Sequence, residues 1–432
     1  MEKFKLKQLI VEHKERFLSP SDLVNREIQK TIKRYLKQRE ILVISGVRRS
    51  GKSSLMKLIC NDLIKEDKIS KNNIMYLNFE DERFIEFNHA DFEPLVETFL
   101  EIYQPQNQMF FFLDEIQNIN GWEKWVNRIY EFENTKIFVT GSNASLLSSE
   151  ISTALTGRNR QINIFPFSFK EFLSLKGFKK NKEDLYLREK RVQLKNLFKT
   201  YVKLGGFPEV LKNEDLSILE QYFKDIIYRD VIARYSIRHT KEIRELALFL
   251  ASNIGTIQSY KNLKEFVNVK SQNTIKNYLE ILQNAYLFFR LDLFDYSIKK
   301  QLYNPSKTYS IDVALSNSIA FKFSENLGHI YENISFIELL RKNSEIFYWK
   351  SKTGKEVDFL IKKGLKITEA IQICTDLSNR KTKEREISGL MNAHYELNVK
   401  NLTILTDDDE GEETVGQVKI SILPLWKWLL KD

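Results

Sequence analysis

The sequence predicts a multidomain α/β protein, and three observations predict it. A chain of 432 residues exceeds one ordinary core, given a norm of about 150 residues per domain. Residues 41–64 run as apolar strand, glycine-containing loop and amphipathic helix, the building unit of a parallel sheet. From Gly328 onward the pattern becomes helix, three strands, helix and strand, which describes a separate α/β domain.

The first of these units is chemically specific. The strand Ile41-Leu42-Val43-Ile44 leads into Gly46-Val47-Arg48-Arg49-Ser50-Gly51-Lys52-Ser53, a complete G-x-x-x-x-G-K-[ST] phosphate loop. Gly46 and Gly51 let the backbone bend around a phosphate chain, and the helix that begins at Ser54 directs its positive dipole end toward that chain. Lys52 is expected to reach the β/γ-phosphates and Ser53 to bind Mg²⁺, so residues 46–54 form the expected ATP site.

A second acidic element is required, and Met109-Phe110-Phe111-Phe112-Leu113-Asp114-Glu115 supplies it. Five consecutive apolar residues suit a strand buried on both faces, with two carboxylates at its C-terminal end where open α/β sheets bind ligands. Asp114 is expected to hold Mg²⁺ and Glu115 to polarise the attacking water. Another strand, Ile74 to Phe79, ends in Glu80-Asp81-Glu82-Arg83, read as a solvated loop or, from its place at the strand end, as a segment that touches the nucleotide. Lys136 to Thr140 forms a further strand followed by Gly141-Ser142-Asn143, where Ser142 or Asn143 is the candidate γ-phosphate sensor. Arg158 and Arg160, before the strand Gln161 to Phe165, suit either a finger inserted by a neighbouring subunit or structural ion pairs.

These motifs, with Phe165-Pro166-Phe167-Ser168-Phe169-Lys170-Glu171-Phe172 and Gly205-Gly206-Phe207-Pro208-Glu209, make the chain resemble the prokaryotic P-loop ATPases of the AAA+/STAND-like group. That family carries a C-terminal domain similar to restriction endonucleases. The resemblance covers nearly the whole chain. With it the expected organisation is an N-terminal helical segment (1–36), a parallel-sheet AAA-type ATPase core (37–165), a helical lid (166–240), a winged helix (241–315) and a restriction-endonuclease-like domain (325–432).

In the lid, Arg229 and Arg234 fall on an otherwise apolar helix, and Asp230 is expected to neutralise them. Helices over Lys241 to Ser252, Lys261 to Phe266 and Ser271 to Gln283 then follow in helix-turn-helix order. The spacing of Ile275, Tyr278, Leu279 and Leu282 turns one face of the third helix inward. Gln272, Asn273, Lys276 and Asn277 are left exposed as candidate contacts to double-stranded DNA. Leu287 to Leu291 and Lys307 to Ile311 read as wing strands around a basic segment containing Lys299, Lys300 and Lys307.

The resemblance implies in the last domain an Asp and a Glu on neighbouring strands that bind Mg²⁺, with a Lys two residues after the Glu. Asp358 takes the aspartate's place and Glu332 is the candidate helix acid. With Glu369 as second acid, the following position is Ile371; in the alternative register, Gln372 stands there and Cys374 follows. Neither register supplies the lysine, so a degraded nuclease site is expected. The run Asp407 to Glu413 reads as a solvated turn, and Trp426 and Trp428 as part of a final amphipathic helix.

Composition narrows the rest. Hydrophobic residues make up 42% and charged residues 29%, which is globular usage. No apolar stretch reaches the roughly 20 residues that span a bilayer. Two distant cysteines and five scattered histidines suit a reducing, cytoplasmic setting and argue against zinc. The net charge of +9 is compatible with a polyanionic partner. The expected function is an ATP-hydrolysing switch that couples nucleotide state to DNA or a protein partner. An ATP-regulated nuclease centred on Asp358, and a signalling or defence scaffold whose homo-oligomerisation is gated by ATP, are the alternatives.

Overall fold

The computed structural model describes residues 1–144, 157–178, 182–320 and 326–431, in two compact units, Met1–Ile164 and Phe165–Asp432. The first unit contains α1 (Lys3–Leu18), α2 (Gln29–Tyr35), β1 (Ile41–Ser45), α3 (Lys52–Lys65), β2 (Ile74–Asn78), α4 (Phe92–Tyr103), β3 (Met109–Asp114), α5 (Trp122–Phe132), β4 (Thr135–Gly141) and β5 (Asn159–Asn163). Its sheet is wholly parallel in the order β2-β3-β4-β1-β5.

The period of two along each strand builds both layers that cover the sheet. Ile41 and Val43 of β1 and Phe111 and Leu113 of β3 share one core with Leu6, Leu95 and Val126. Their alternates Leu42, Ile44, Phe110 and Phe112 share the other with Ile32, Leu55 and Ile59. In α5, Trp122, Trp125, Val126 and Ile129 are buried at helical spacing. The N-terminal helix α1 belongs to this unit, because Leu6, Leu9 and Ile10 lie in the first of these cores.

The second unit starts with helices α6 (Phe169–Leu175), α7 (Arg188–Leu204), α8 (Pro208–Asn213) and α9 (Ser217–Asp225), then a π-helical segment, Ile226–Ala233. Ser168 and Glu171 close a reciprocal capping box at the start of α6. The glycine pair between α7 and α8 is sterically required. A Cβ on Gly205 would stand 2.2 Å from Asp312 Oδ1, and one on Gly206 2.5 Å from the Phe167 carbonyl oxygen.

The π-helical winding corrects the expectation of buried arginines. Asp230 is the buried member at 1% exposure, whereas Arg229 lies at the surface and Arg234 is half-buried. The i→i+5 winding turns Ile226, Ile227, Asp230 and Val231 inward together.

Next come α10 (Thr240–Ser252), β6 (Ile257–Gln258), α11 (Tyr260–Val267), α12 (Gln272–Asn284), β7 (Phe288–Leu291), α13 (Ile298–Tyr303), β8 (Ser306–Ser310) and α14 (Val313–Ile319). Asn268 ends α11 in the left-handed region with φ 56°, and Ser271 caps α12. The strands form an antiparallel sheet in the order β6-β8-β7. β8 is the central strand, and all five of its residues are buried. The sequence reading also missed α13, which lies between the two expected wing strands.

The chain ends with α15 (Leu327–Arg341), β9 (Glu345–Lys350), β10 (Glu356–Lys363), β11 (Lys366–Ile373), α16 (Arg380–Leu397), β12 (Asn401–Thr406), β13 (Gly411–Val415), β14 (Val418–Pro424) and α17 (Leu425–Trp428). The sheet order is β13-β14-β12-β11-β10-β9, with β11, β12 and β14 mutually parallel. The end of the acidic run is therefore strand rather than turn, since Glu412 and Glu413 lie in β13 and pair with β14. Trp426 and Trp428 are buried as expected, but on a four-residue helix. No helix among the described residues is long and apolar enough to cross a membrane.

Candidate functional site

The phosphate loop lies at the C-terminal edge of the first sheet, between β1 and α3. Gly46 is required by a close approach: a Cβ there would stand 2.2 Å from the Ile164 carbonyl oxygen. Gly51 precedes α3 with φ 96°, the left-handed region that favours glycine. Arg49 adopts φ 69° without that freedom, so the loop holds a strained residue at its tip.

Lys52 is 5% exposed, and its Nζ donates to the carbonyl oxygens of Gly46 (3.2 Å) and Val47 (3.3 Å). The same Nζ stands 3.4 Å from Glu115 Oε1. Arg48 pairs with Glu80 at 2.7 Å. Ser50 is buried with its Oγ lacking a hydrogen-bond partner, while Ser53 and Ser54 are exposed on the first turn of α3.

Strand β4 couples the two acids. It lies between β1 and β3, and Ser45 pairs with Gly141 at the loop end. Thr140 Oγ1 donates to Asp114 Oδ1 and accepts from the Glu115 N–H at 2.9 Å. Tyr76 OH donates to the other Asp114 oxygen at 2.9 Å. Glu115 adopts φ 51°, which turns it off the strand toward Lys52. Burial first, and the adjacent Glu115 charge second, push the Asp114 carboxyl above its ordinary range, against hydrogen bonds from Ser53, Thr140 and Tyr76.

A buried carboxylate joined to the Ser53 hydroxyl is the donor set a hard cation prefers. With the close-fitted Gly46, the residues present fit Mg²⁺ and a phosphate chain. A cavity of about 610 Å³ opens beside Ser53, Ser54 and Asp114, and Tyr76, Glu80, Asp81 and Glu82 also line it. The acidic segment is thus not simply a solvated loop. Asp81 pairs with Arg83 and accepts from His13 Nε2 at 2.9 Å. Because the Asn78 N–H donates to His13 Nδ1 at 3.2 Å, this ring carries its proton on Nε2.

Ser142 and Asn143 are fully buried just after β4. Arg158 is elsewhere. It precedes β5, its carbonyl accepts from Ile41 N at 2.8 Å at the far end of β1, and its guanidinium pairs with Glu131 and Asn127 of α5. Arg160 stands 3.3 Å from Glu40. Within its own chain, therefore, neither arginine joins the phosphate loop. Sequence reasoning missed Thr140, Tyr76 and the buried Arg26, which donates to the Ser50 carbonyl at 3.0 Å. A polar residue ending the buried run before Gly141 was a usable signal for Thr140. Arg26 lies in an aperiodic stretch and offers none.

In the second unit, Gln272, Asn273, Lys276 and Asn277 are exposed on α12, opposite buried Ile275, Tyr278, Leu279 and Leu282. Lys276 Nζ lies 5.1 Å from the centre of the Tyr260 ring.

The last domain departs from the expected acid pair. Strand β10 pairs Phe359 with Ile371, and Gln372 Oε1 accepts from the Asp358 N–H at 3.2 Å while its Nε2 donates to Glu386 of α16 at 2.8 Å. Glu369 pairs with Ile361, three residues along β10 from Asp358. A bulge against β9 between Val357 and Leu360 re-aims Asp358. The position two residues after the second acid holds no lysine in either register, Ile371 or Cys374, but a lysine reaches Asp358 from another strand. Lys307 of β8, read as part of the basic segment around the wing strands, is 3% exposed and donates to Glu332 Oε1 at 2.6 Å and Asp358 Oδ1 at 3.0 Å.

An AAA domain model matches residues 38–173, and two models described as domains of unknown function (DUF8612 and DUF4143) match residues 195–326 and 327–428. An uncharacterised protein of Methanocaldococcus jannaschii is 40% identical over 94% of this chain and 91% of its own length. An uncharacterised protein of Haemophilus influenzae is 34% identical over 90% of this chain and 94% of its own. The Orc1 protein of Aeropyrum pernix, solved in complex with DNA, aligns with 71% of this chain and 95% of that one, at 12% identity and a TM-score of 0.31, and that likeness carries no argument. The chain belongs to the family that the two full-length relatives represent, and its residues 38–173 are a P-loop AAA domain.

Proposed function

We propose that the chain is a Mg²⁺-dependent ATPase whose nucleotide state governs binding of DNA or a partner by the second unit. One observation carries the hydrolytic reading: Thr140 bridges Asp114 and Glu115, while Lys52 stands 3.4 Å from Glu115. Phosphate-binding lysine, metal acid and water-activating acid thereby stand in one connected set.

The loop N–H groups and the N-terminus of α3 bind the phosphates, and Lys52 exchanges neutral carbonyl acceptors for charged phosphate oxygens. Asp114 and Ser53 hold the cation, which when bound neutralises charge on the transferring phosphoryl group. Glu115, fixed through its backbone by Thr140, orients and deprotonates water. Ser142 and Asn143 follow β4, whose Gly141 pairs with Ser45, the residue before the loop. As sensors they would contact the γ-phosphate.

Lys52→Ala is expected to abolish Mg·ATP binding measured by titration calorimetry, because Lys52 is the buried loop ammonium already held against the Gly46 and Val47 carbonyls, where the phosphates bind. Unchanged binding in that variant, or no Mg·ATP binding by the native chain, would refute the proposal at its base.

The DNA reading is supported by the helix-turn-helix order of α11 and α12, by the antiparallel β6-β8-β7 sheet formed with them, and by the four exposed polar residues on α12. Duplex affinity measured across a salt series is expected to fall by about 1–3 kcal/mol in Lys276→Ala/Asn277→Ala, with a salt slope shallower by about 1. A native chain that ignores duplex DNA but changes size with ATP would instead be a nucleotide-gated scaffold.

A further inference from the structure

Three carboxylates converge in the second unit: Glu332 of α15, and Glu356 and Asp358 of β10. Such a set invites a divalent metal, and the resemblance of this domain to nucleases implies one. The residues present do not fit it. Their common point is filled by Lys307 Nζ, which stands 2.6 Å from Glu332 Oε1, 2.8 Å from Glu356 Oε1 and 3.0 Å from Asp358 Oδ1. An ammonium with three N–H donors matches three oxygens at these distances.

The remaining valences are used as well. Tyr309 OH donates to Glu332 Oε1 at 2.6 Å, and the Ile373 N–H donates to Asp358 Oδ2 at 2.9 Å. His329 Nδ1 lies 3.4 Å from Glu332 Oε2. Lys307 cannot swing away cheaply, because its backbone is paired on both sides, with Ile257 of β6 and Leu291 of β7. Gly255, just before β6, leaves room for the cluster: a Cβ there would stand 2.6 Å from His329 Nδ1 and 3.0 Å from Glu332 Oε2.

We propose that the Lys307 ammonium is the resident cation of this carboxylate site, replacing a divalent metal and clamping the β6-β8-β7 sheet to the C-terminal domain. This goes beyond the nucleotide reading and does not depend on it. The competing role, a lysine that works beside a bound metal, predicts that metal and Lys307 coexist.

The test is Mn²⁺ binding to the full-length chain, followed by electron paramagnetic resonance. The Lys307→Ala chain is expected to bind one more Mn²⁺ per chain than the native protein and to lose it again in Lys307→Ala/Asp358→Asn. Any Mn²⁺ held at the phosphate loop is common to all three and cancels. Equal stoichiometry in native and Lys307→Ala chains overturns the proposal, as does a native stoichiometry that falls on Asp358→Asn. If Lys307→Ala does not fold alone, it is refolded with Mn²⁺. Recovery of a cooperative melt supports the replacement, and failure to recover overturns it.

Discussion

Glu115→Gln is expected to keep Mg·ATP affinity near native while lowering turnover by about two to four orders of magnitude, the usual contribution of a positioned general base. Glutamine preserves the shape of the side chain and the backbone N–H that Thr140 accepts, so the φ 51° turn and the Asp114 bond survive. Only the basicity is lost. Binding and single-turnover hydrolysis, measured separately, distinguish two roles for this carboxylate. A large rate loss at constant affinity assigns it to water activation. A parallel loss of affinity shows instead that Glu115 serves mainly to place Lys52, whose Nζ it approaches to 3.4 Å.

Lys307→Met is expected to destabilise the second unit by about 3–5 kcal/mol, because removing one partner of a buried ion pair strands the other. Burial alone would lower the Lys307 value. Tyr309, Asp358, Glu332 and Glu356 outweigh it and hold the ammonium well above its ordinary range. With the lysine gone, the stranded carboxylates resist ionisation, so the variant's deficit is expected to shrink as pH falls. The native protein has its own dependence here. Burial pushes Asp358 up from 3.8 to about 7, since one ammonium cannot fully offset three carboxylates. A value raised on folding stabilises the native state fully below 3.8, and that contribution is lost as pH rises toward about 7. Thermal melts of native and Asp358→Asn chains across this window read the effect, with the variant expected to lack that slope. Equal slopes would show that Asp358 does not titrate there.

Much of the first unit was legible because its signals are contiguous. The loop needs Gly46 and Gly51 at fixed offsets, and the strands before it and at Phe110 to Leu113 are apolar on both faces because helices cover both. Helix α12 was equally readable, since one helical period separates its buried and exposed residues. Legibility failed wherever an i→i+5 turn, a central strand or a bulge broke the simple period, as at Asp230, in β8 and at Asp358.

The sequence by itself determined the phosphate loop, its acidic strand and the polar face of α12, because each depends on neighbours within about two turns or one strand of the same segment. Only the tertiary structure decided which distant groups share a charge. It set Arg158 against α5, placed Gln372 rather than Glu369 against the Asp358 backbone, and brought Lys307 across 25 residues to Glu332 and 51 to Asp358. The physical reason is that sheet register and a one-residue bulge fix where a side chain points, and a buried charge then takes the nearest counter-charge, however far away it lies in sequence.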